Sequence, residues 1–225
     1  MILEITTPVQ TGLKQERKME TIANHLANVD TSGFKADILS FDEMLNIHMA
    51  VDFTQGDIKM TGNNLDFAIS GEGFFKVQTQ QGVRYTRSGN FTLNNEGLLV
   101  TQNGDPVLGE GGEITIKGTD IYCNEAGEIF VDGTLSDKLD IVTFNSLENL
   151  QKEGSSLFVY KGDPADATAP EKVSVKQKAL ERPNVSTVVE MTKMIETMRT
   201  YEALQKMIQS FDETDSKIIN EAARI

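Results

Sequence analysis

The sequence predicts an α+β fold: N- and C-terminal α-helices pairing in a coiled-coil-like bundle, an extended connector, and a central, mainly antiparallel β domain. Three observations carry this reading. Apolar residues recur at three- and four-residue spacing near both ends of the 225-residue chain, the pattern of one helix face. The middle holds short apolar runs separated by Gly- and Asn-containing turns, which marks close-spaced strands. No Gly or Pro falls between Val188 and Ala222, so nothing breaks the second helical pattern.

The first helix has readable signals at both ends. Thr7-Pro8-Val9-Gln10 offers an N-cap, a proline at the first helical position and a capping-box glutamine. Val9, Leu13, Met19, Ile22, Ala23 and Leu26 then form a broken stripe that runs out near Asn28, with Gly33 just beyond it. Such a helix is a rod of about 30 Å.

The second helix is longer. Pro183-Asn184 supplies a break, and Asn184, or Thr187 with Glu190 three residues on, can cap the start. Val188, Met191, Met194, Ile195, Met198, Tyr201, Leu204, Ile208, Phe211, Ile218 and Ala222 follow at helical spacing, interrupted by Asp215. A stripe of this length exceeds the ordinary globular helix and implies a partner helix. Two long helices bury too little on one another to offset easily the entropy of ordering them, so contacts from other copies are expected to add to the pairing. The expected assembly surface is therefore Leu13, Met19, Ile22 and Leu26 with Val188, Met191, Ile195, Met198, Tyr201, Leu204, Ile208, Phe211 and Ile218.

Between the helices, two segments read as hairpins: Phe74 to Gln78 with Val83 to Thr86, and Phe91 to Leu93 with Leu98 to Thr101. Ile114 to Ile116, Ile121 to Cys123, Ile129 to Val131, Asp140 to Phe144 and Leu157 to Tyr160 continue as strands, which implies a small sandwich or barrel. Lys35 to Asn64, with Phe41, Met44, Leu45 and Phe53 as scattered apolar anchors, reads as an extended connector carrying one short helix. Residues 162–170 read as a polar surface loop. The expected organisation is a first helix in residues 1–34, a connector in 35–64, a β domain in 65–182 and the long helix in 183–225.

Composition excludes several function classes. A net charge of −13 without basic clusters argues against nucleic acid and anionic membranes as partners. No apolar run approaches the roughly 20 residues of a membrane span, and the start, Met1 to Pro8, lacks the pattern of a cleavable secretory signal. The single Cys123 excludes an internal disulfide framework and, in Ile121-Tyr122-Cys123, reads as a buried inert thiol.

Chemistry-bearing patterns are sparse. His25, His48 and one cysteine give no zinc-ligand spacing, and Gly71-Glu72-Gly73 lacks the third glycine of a dinucleotide fingerprint and leads into a strand. Neither histidine is flanked in sequence by the glycine elbow or acidic partner that a nucleophilic site needs. Acidic pairs such as Asp42-Glu43 and Asp212-Glu213 read as solvated faces in so acidic a chain. The expectation is no catalytic residue, no metal, no cofactor and no small-molecule substrate.

Ala23-Asn24-His25-Leu26-Ala27-Asn28-Val29-Asp30-Thr31-Ser32-Gly33-Phe34-Lys35 closely resembles the N-terminal signature of the bacterial flagellar rod and hook proteins. Thr61 to Phe75 and Tyr85 to Leu93 resemble the entrance of that family's β domain, and Gly97 to Val100 and Gly104 to Gly109 continue it. Gln177-Lys178-Ala179-Leu180-Glu181-Arg182-Pro183-Asn184-Val185 resembles its lead-in to the last helix, with Lys178 where the family usually has Gly and Pro183 where it has Ser. The likeness covers both ends and the first half of the middle, and is strongest to proximal-rod members, with distal-rod members next.

The resemblance implies a structural subunit of the flagellar rod, self-assembling helically through its terminal helices into the drive shaft that crosses the periplasm. It implies other copies, other flagellar rod proteins and the flagellar type III export apparatus as partners, with export that needs no cleavable signal. Asn24, Asn28, Thr31, Gly33 and Phe34 are its motif residues; the asparagines and Thr31 would satisfy helix-end and loop backbone groups and Gly33 a positive-φ turn. Two other classes stay open from the residues alone: a glycan- or protein-binding β domain with helical dimerisation arms, and a hydrolase using dispersed carboxylates.

Overall fold

A computed structural model describes residues 2–41, 47–154, 156–170, 172 and 174–222. Two helices, α1 (Ile2–Ala27) and α2 (Thr187–Ala222), flank a region of antiparallel strands. The chain divides into a helical unit of residues 1–27, 37–50 and 185–225, and a β unit of residues 28–36 and 51–184.

In the helical unit α1 and α2 pack on each other and run antiparallel: the Gly12 position meets the Tyr201 ring, and His25, thirteen residues on, meets Glu190. Between Glu190 and Thr214 the residues of α2 turned out of solvent are Glu190, Met194, Thr197, Tyr201, Leu204 and Ile208, an alternating four-three spacing that keeps one side of a helix in line. Buried Thr197 satisfies its hydroxyl on the Lys193 carbonyl, 2.7 Å away.

Both helix starts differ from the expectation. α1 begins at Ile2 and runs through Pro8, so neither Thr7 nor Pro8 stands at its N-terminus. Pro8 therefore lies beyond the first turn, where its fixed φ fits the helix but its missing N–H and its ring cost a hydrogen bond that propagation of an already formed helix must offset. α2 begins at Thr187, with the Ser186 carbonyl accepting the Glu190 N–H at 2.9 Å. Asn184 caps nothing: in the β unit its Oδ1 accepts the Ala36 N–H and its Nδ2 donates to the Asp52 carbonyl, each at 2.8 Å.

The segment expected as a connector contains strands. Asp37–Phe41 and Ile47–Val51 pair as a two-stranded ribbon, and Lys14 Nζ lies 5.3 Å from the Phe41 ring centroid. Its described residues form no helix; residues 42–46, with Met44 and Leu45, lie outside the described residues. Ile38 and Met49 stay exposed, which is why the ribbon leaves no apolar alternation to read.

The β unit is built on a six-stranded antiparallel sheet in the order Leu150–Glu153, Leu157–Tyr160, Gly82–Thr86, Phe74–Thr79, Ile141–Phe144, Ala167–Thr168. Successive side chains alternate faces. Phe75, Val77 and Ile141 join the larger core with Phe67, Phe91, Leu99 and Ile114. Phe74, Val142, Phe144 and Phe158 turn the other way into a smaller aromatic cluster covered by Val51 and Phe53.

A three-stranded sheet of Ile121–Cys123, Glu128–Val131 and Thr134–Lys138 supplies Ile121, Cys123, Ile129 and Val131 to the larger core. Burial pushes the Cys123 thiol up to about 12. The turns at Asn94 and Asn124 use one chemistry: each asparagine Oδ1 accepts backbone N–H groups two and four residues on.

Candidate functional site

In the helical unit the predicted stripe separates into two sets. Ile22 is buried and Met19, Leu26, Tyr201, Leu204 and Ile208 are half-buried. Leu13, Val188, Met191, Ile195, Met198 and Phe211 are exposed, Val188 to 74% and both Met191 and Ile195 to 53%. The side chain of Ile218 lies outside the described residues. Val188, Met191, Ile195 and Met198 follow one another at helical spacing on a side adjacent to Glu190 and Tyr201, so α2 shows a second apolar face beside the one turned toward α1.

The inner seam gives His25 the acidic partner that its sequence neighbours do not supply. His25 Nδ1 lies 3.0 Å from Glu190 Oε2, and His25 Nε2 accepts the Asp37 N–H at 2.9 Å. A ring nitrogen that accepts has no proton, so the imidazole proton is assigned to Nδ1, which donates to Glu190. Burial raises the Glu190 carboxyl, but hydrogen bonds from Lys193 and His25 outweigh it and hold the group below its ordinary value.

In the β unit, blocks far apart in sequence converge on Glu181. Lys35 Nζ donates to Glu181 Oε1 and to the Thr54 carbonyl, each at 2.7 Å. Arg87 Nε donates to Glu181 Oε2 at 2.8 Å, while its Nη1 reaches the carbonyls of Gly71 and Gly73. The Gly56 N–H also donates to Glu181 Oε1, at 3.0 Å. All three charged residues are buried. Burial lowers the Lys35 pKa below its usual range, against the opposing pull of Glu181.

The signature loop is fitted to this cluster. The Gly33 N–H donates to the Glu181 carbonyl at 2.9 Å. Its φ is +67°, and a Cβ there would stand 2.4 Å from the Arg87 carbonyl carbon, closer than any side chain tolerates. Phe34 is fully buried, with Lys152 Nζ 4.0 Å from its ring centroid, and Lys152 also donates to the Lys35 carbonyl. Thr31 donates through Oγ1 to Asn28 Oδ1 and through its N–H to the Asn28 carbonyl. Asn24, in the helical unit, is exposed.

The two departures noted in the sequence have different consequences. Lys178 sits at φ +60°, the left-handed region where glycine is the ordinary occupant. Its carbonyl accepts the N–H groups of Thr61 and Gly62. Pro183 follows Arg182, whose N–H donates to the Asp57 carbonyl; a proline one position on removes no hydrogen bond from that ladder.

The partners of these groups are backbone carbonyls, amides and one another, so they fix chain segments. Helical ends, a β unit and a buried ionic junction that gathers the signature blocks are the marks of a structural protein, in which ionisable groups hold chain segments together. Three family models match the chain: Flagella basal body rod protein over residues 10–35, Flagellar hook protein FlgE/F/G D1 domain over 68–131, and Flagellar basal body rod FlgEFG protein C-terminal over 176–221.

Relatives match along most of their length. The flagellar basal-body rod protein FlgF of Caulobacter vibrioides is 34% identical, covering 93% of each chain. The flagellar hook-basal body complex protein FlhO of Bacillus subtilis is 30% identical over 100% of both. The flagellar basal-body rod protein FlgG of Bacillus subtilis is 31% identical over 93% of this chain and 95% of its own. The chain belongs to the flagellar basal-body rod protein family, with FlgF- and FlgG-like character, and is a structural rod subunit of the flagellum.

Proposed function

We propose that this subunit polymerises helically through its terminal helices, with α1 and α2 forming a coiled-coil-like layer that contacts other copies and other rod proteins. The shaft so formed spans the periplasm and carries torque from basal body to hook. The observation that carries this reading is the second apolar face of α2, Val188, Met191, Ile195 and Met198, which α1 leaves in solvent. Contiguous exposed apolar surface of this kind marks a protein interface, and a heterologous contact between identical subunits whose rotation does not close propagates as a helix. The four-three spacing of the inner α2 residues supports the coiled-coil character.

Within the family a proximal-rod position is favoured by the FlgF relative at 34% identity; a distal-rod position is the second reading, favoured by the FlgG relative at 31%. Family membership also supports delivery through the flagellum's own type III export apparatus. Ile195→Asp tests the polymerisation surface. Ile195 is exposed, so the isolated variant keeps its helix content while basal bodies fail to grow and motility is lost; a motile Ile195→Asp strain with normal rods overturns the proposal. Deleting the chromosomal copy tests the position: basal bodies should stop before the distal rod, and shafts that proceed past the proximal rod point to the distal reading.

A further inference from the structure

The contact between α1 and α2 has a weakness common to long helix pairs. Met19, Ile22 and Leu26 on one side recur at three and four residues, and Met194, Tyr201, Leu204 and Ile208 on the other share the inward side of α2 with buried Thr197 between the first two, so a slip of one turn again sets mostly apolar residues against apolar residues. Two seam positions, Met19 and Met194, are methionine, whose flexible side chain adapts to altered packing. Apolar contacts of this composition choose an alignment only weakly, the Tyr201 ring at the Gly12 position being the one shape-specific contact among them. A buried polar pair chooses, because any slip leaves both partners desolvated and unsatisfied.

One such pair lies in the seam. His25 and Glu190 are both buried, and Nδ1 to Oε2 is 3.0 Å. The opposite ring nitrogen is held by the Asp37 N–H at 2.9 Å, so the same imidazole fixes the first residue of the ribbon Asp37–Phe41 to α1. Glu190 spends its other oxygen on Lys193, 2.7 Å away on α2 itself, which orients the carboxylate toward α1. A slipped α2 would carry Glu190 about 5 Å along the axis, beyond reach of the ring.

We propose that His25 is a register-setting residue: its two ring nitrogens, one on Glu190 and one on the Asp37 amide, select a single alignment of α1 and α2 and seat the following ribbon on it. The inference concerns one chain and is independent of how copies polymerise.

Spin labels on Lys18→Cys and Gln209→Cys, both exposed positions, report the axial alignment of the full-length chain by pulsed dipolar spectroscopy; buried Cys123 stays unlabelled. The native pair should give one narrow distance. His25→Leu/Glu190→Leu should keep the helix content and melting temperature but add a second distance population displaced by about 5 Å, one helical turn. His25→Gln, whose amide can donate to Glu190 and accept from Asp37, should keep the single distance and a slowly exchanging Asp37 amide. A single native distance in the double Leu variant overturns the proposal, since packing alone then sets the register. Loss of helix content in that variant overturns it as well, because the pair then supplies stability and not choice. A Gln variant as heterogeneous as the Leu variant has the same force.

Discussion

Lys35 and Glu181 meet at 2.7 Å with both side chains 1% exposed, 146 residues apart in sequence. Arg87 joins from the opposite oxygen, so one carboxylate serves two cations in the interior. A buried carboxylate between two cations is the member whose loss costs most, because two charges are then left without a counterion. Glu181→Gln is expected to destabilise the β unit by about 3–5 kcal/mol. Lys35→Met leaves the Glu181–Arg87 pair intact and removes an ammonium whose pKa burial already depresses; its expected cost is about 1 kcal/mol, the loss of its hydrogen bonds. Urea unfolding followed by amide exchange at Phe75 and Ile129 would rank the two, and equal costs would refute the argument.

Gly33→Ala should disrupt the signature loop more than any surface change nearby. The position combines φ +67° with a backbone wall 2.4 Å from where the methyl would stand, and rigid backbone cannot give way. The expected loss is on the order of 3 kcal/mol or more, left-handed strain and steric overlap together. Amide exchange should show faster opening of Gly33 and Phe34, and unchanged protection there would be incompatible with this geometry.

Lys178→Gly should act in the opposite direction. Lys178 is exposed, and its contribution to the ladder is its backbone carbonyl, which glycine keeps. Relief of a left-handed non-glycine residue is worth about 1 kcal/mol after the greater flexibility of glycine in the unfolded chain is counted. A higher melting temperature for the β unit checks it.

The fold was legible where periodicity is strong. The stripe from Val188 to Phe211 and the hairpin Phe74–Thr79 with Gly82–Thr86 both stand out by spacing, because one face of each is apolar. The ribbon at Asp37–Phe41 was not, since its apolar residues Ile38 and Met49 lie in solvent. Which half of the α2 stripe faces α1 was not readable either: Glu190 and Thr197 are buried while Ile195 is exposed, the reverse of their polarity. Lys35, Arg87 and His25 stood inside the family-like blocks, yet their pairing with Glu181 and Glu190 is a matter of long-range topology that no local spacing records.

The helical unit should lose stability in acid through Glu190. Its folded pKa lies below the ordinary 4.5, so the carboxylate stabilises the folded form fully above that value. The contribution declines as pH falls from 4.5 through the lower folded value. The facing groups are His25 across the seam and Lys193 one turn on. Glu190→Gln should remove this component, so the difference in helix melting between native and variant chains should shrink as pH drops below 4.5. A difference that stays constant from neutral pH to pH 3 would mean that Glu190 is not ionised in the seam.

Gly12 is the remaining test of how closely the helices approach. It lies inside α1, where glycine costs about 1 kcal/mol relative to alanine through backbone entropy. A methyl group there would meet the Tyr201 ring at 4.0 Å, an ordinary van der Waals contact that adds packing without overlap. Both terms have the same sign. Gly12→Ala is therefore expected to stabilise the helical unit by about 1 kcal/mol, visible as a higher midpoint in the 222 nm dichroism melt, while Gly12→Leu should fall below native because its larger side chain must displace Tyr201. If Gly12→Ala is destabilising, α1 and Tyr201 lie closer than 4.0 Å in solution and glycine is there to admit the ring.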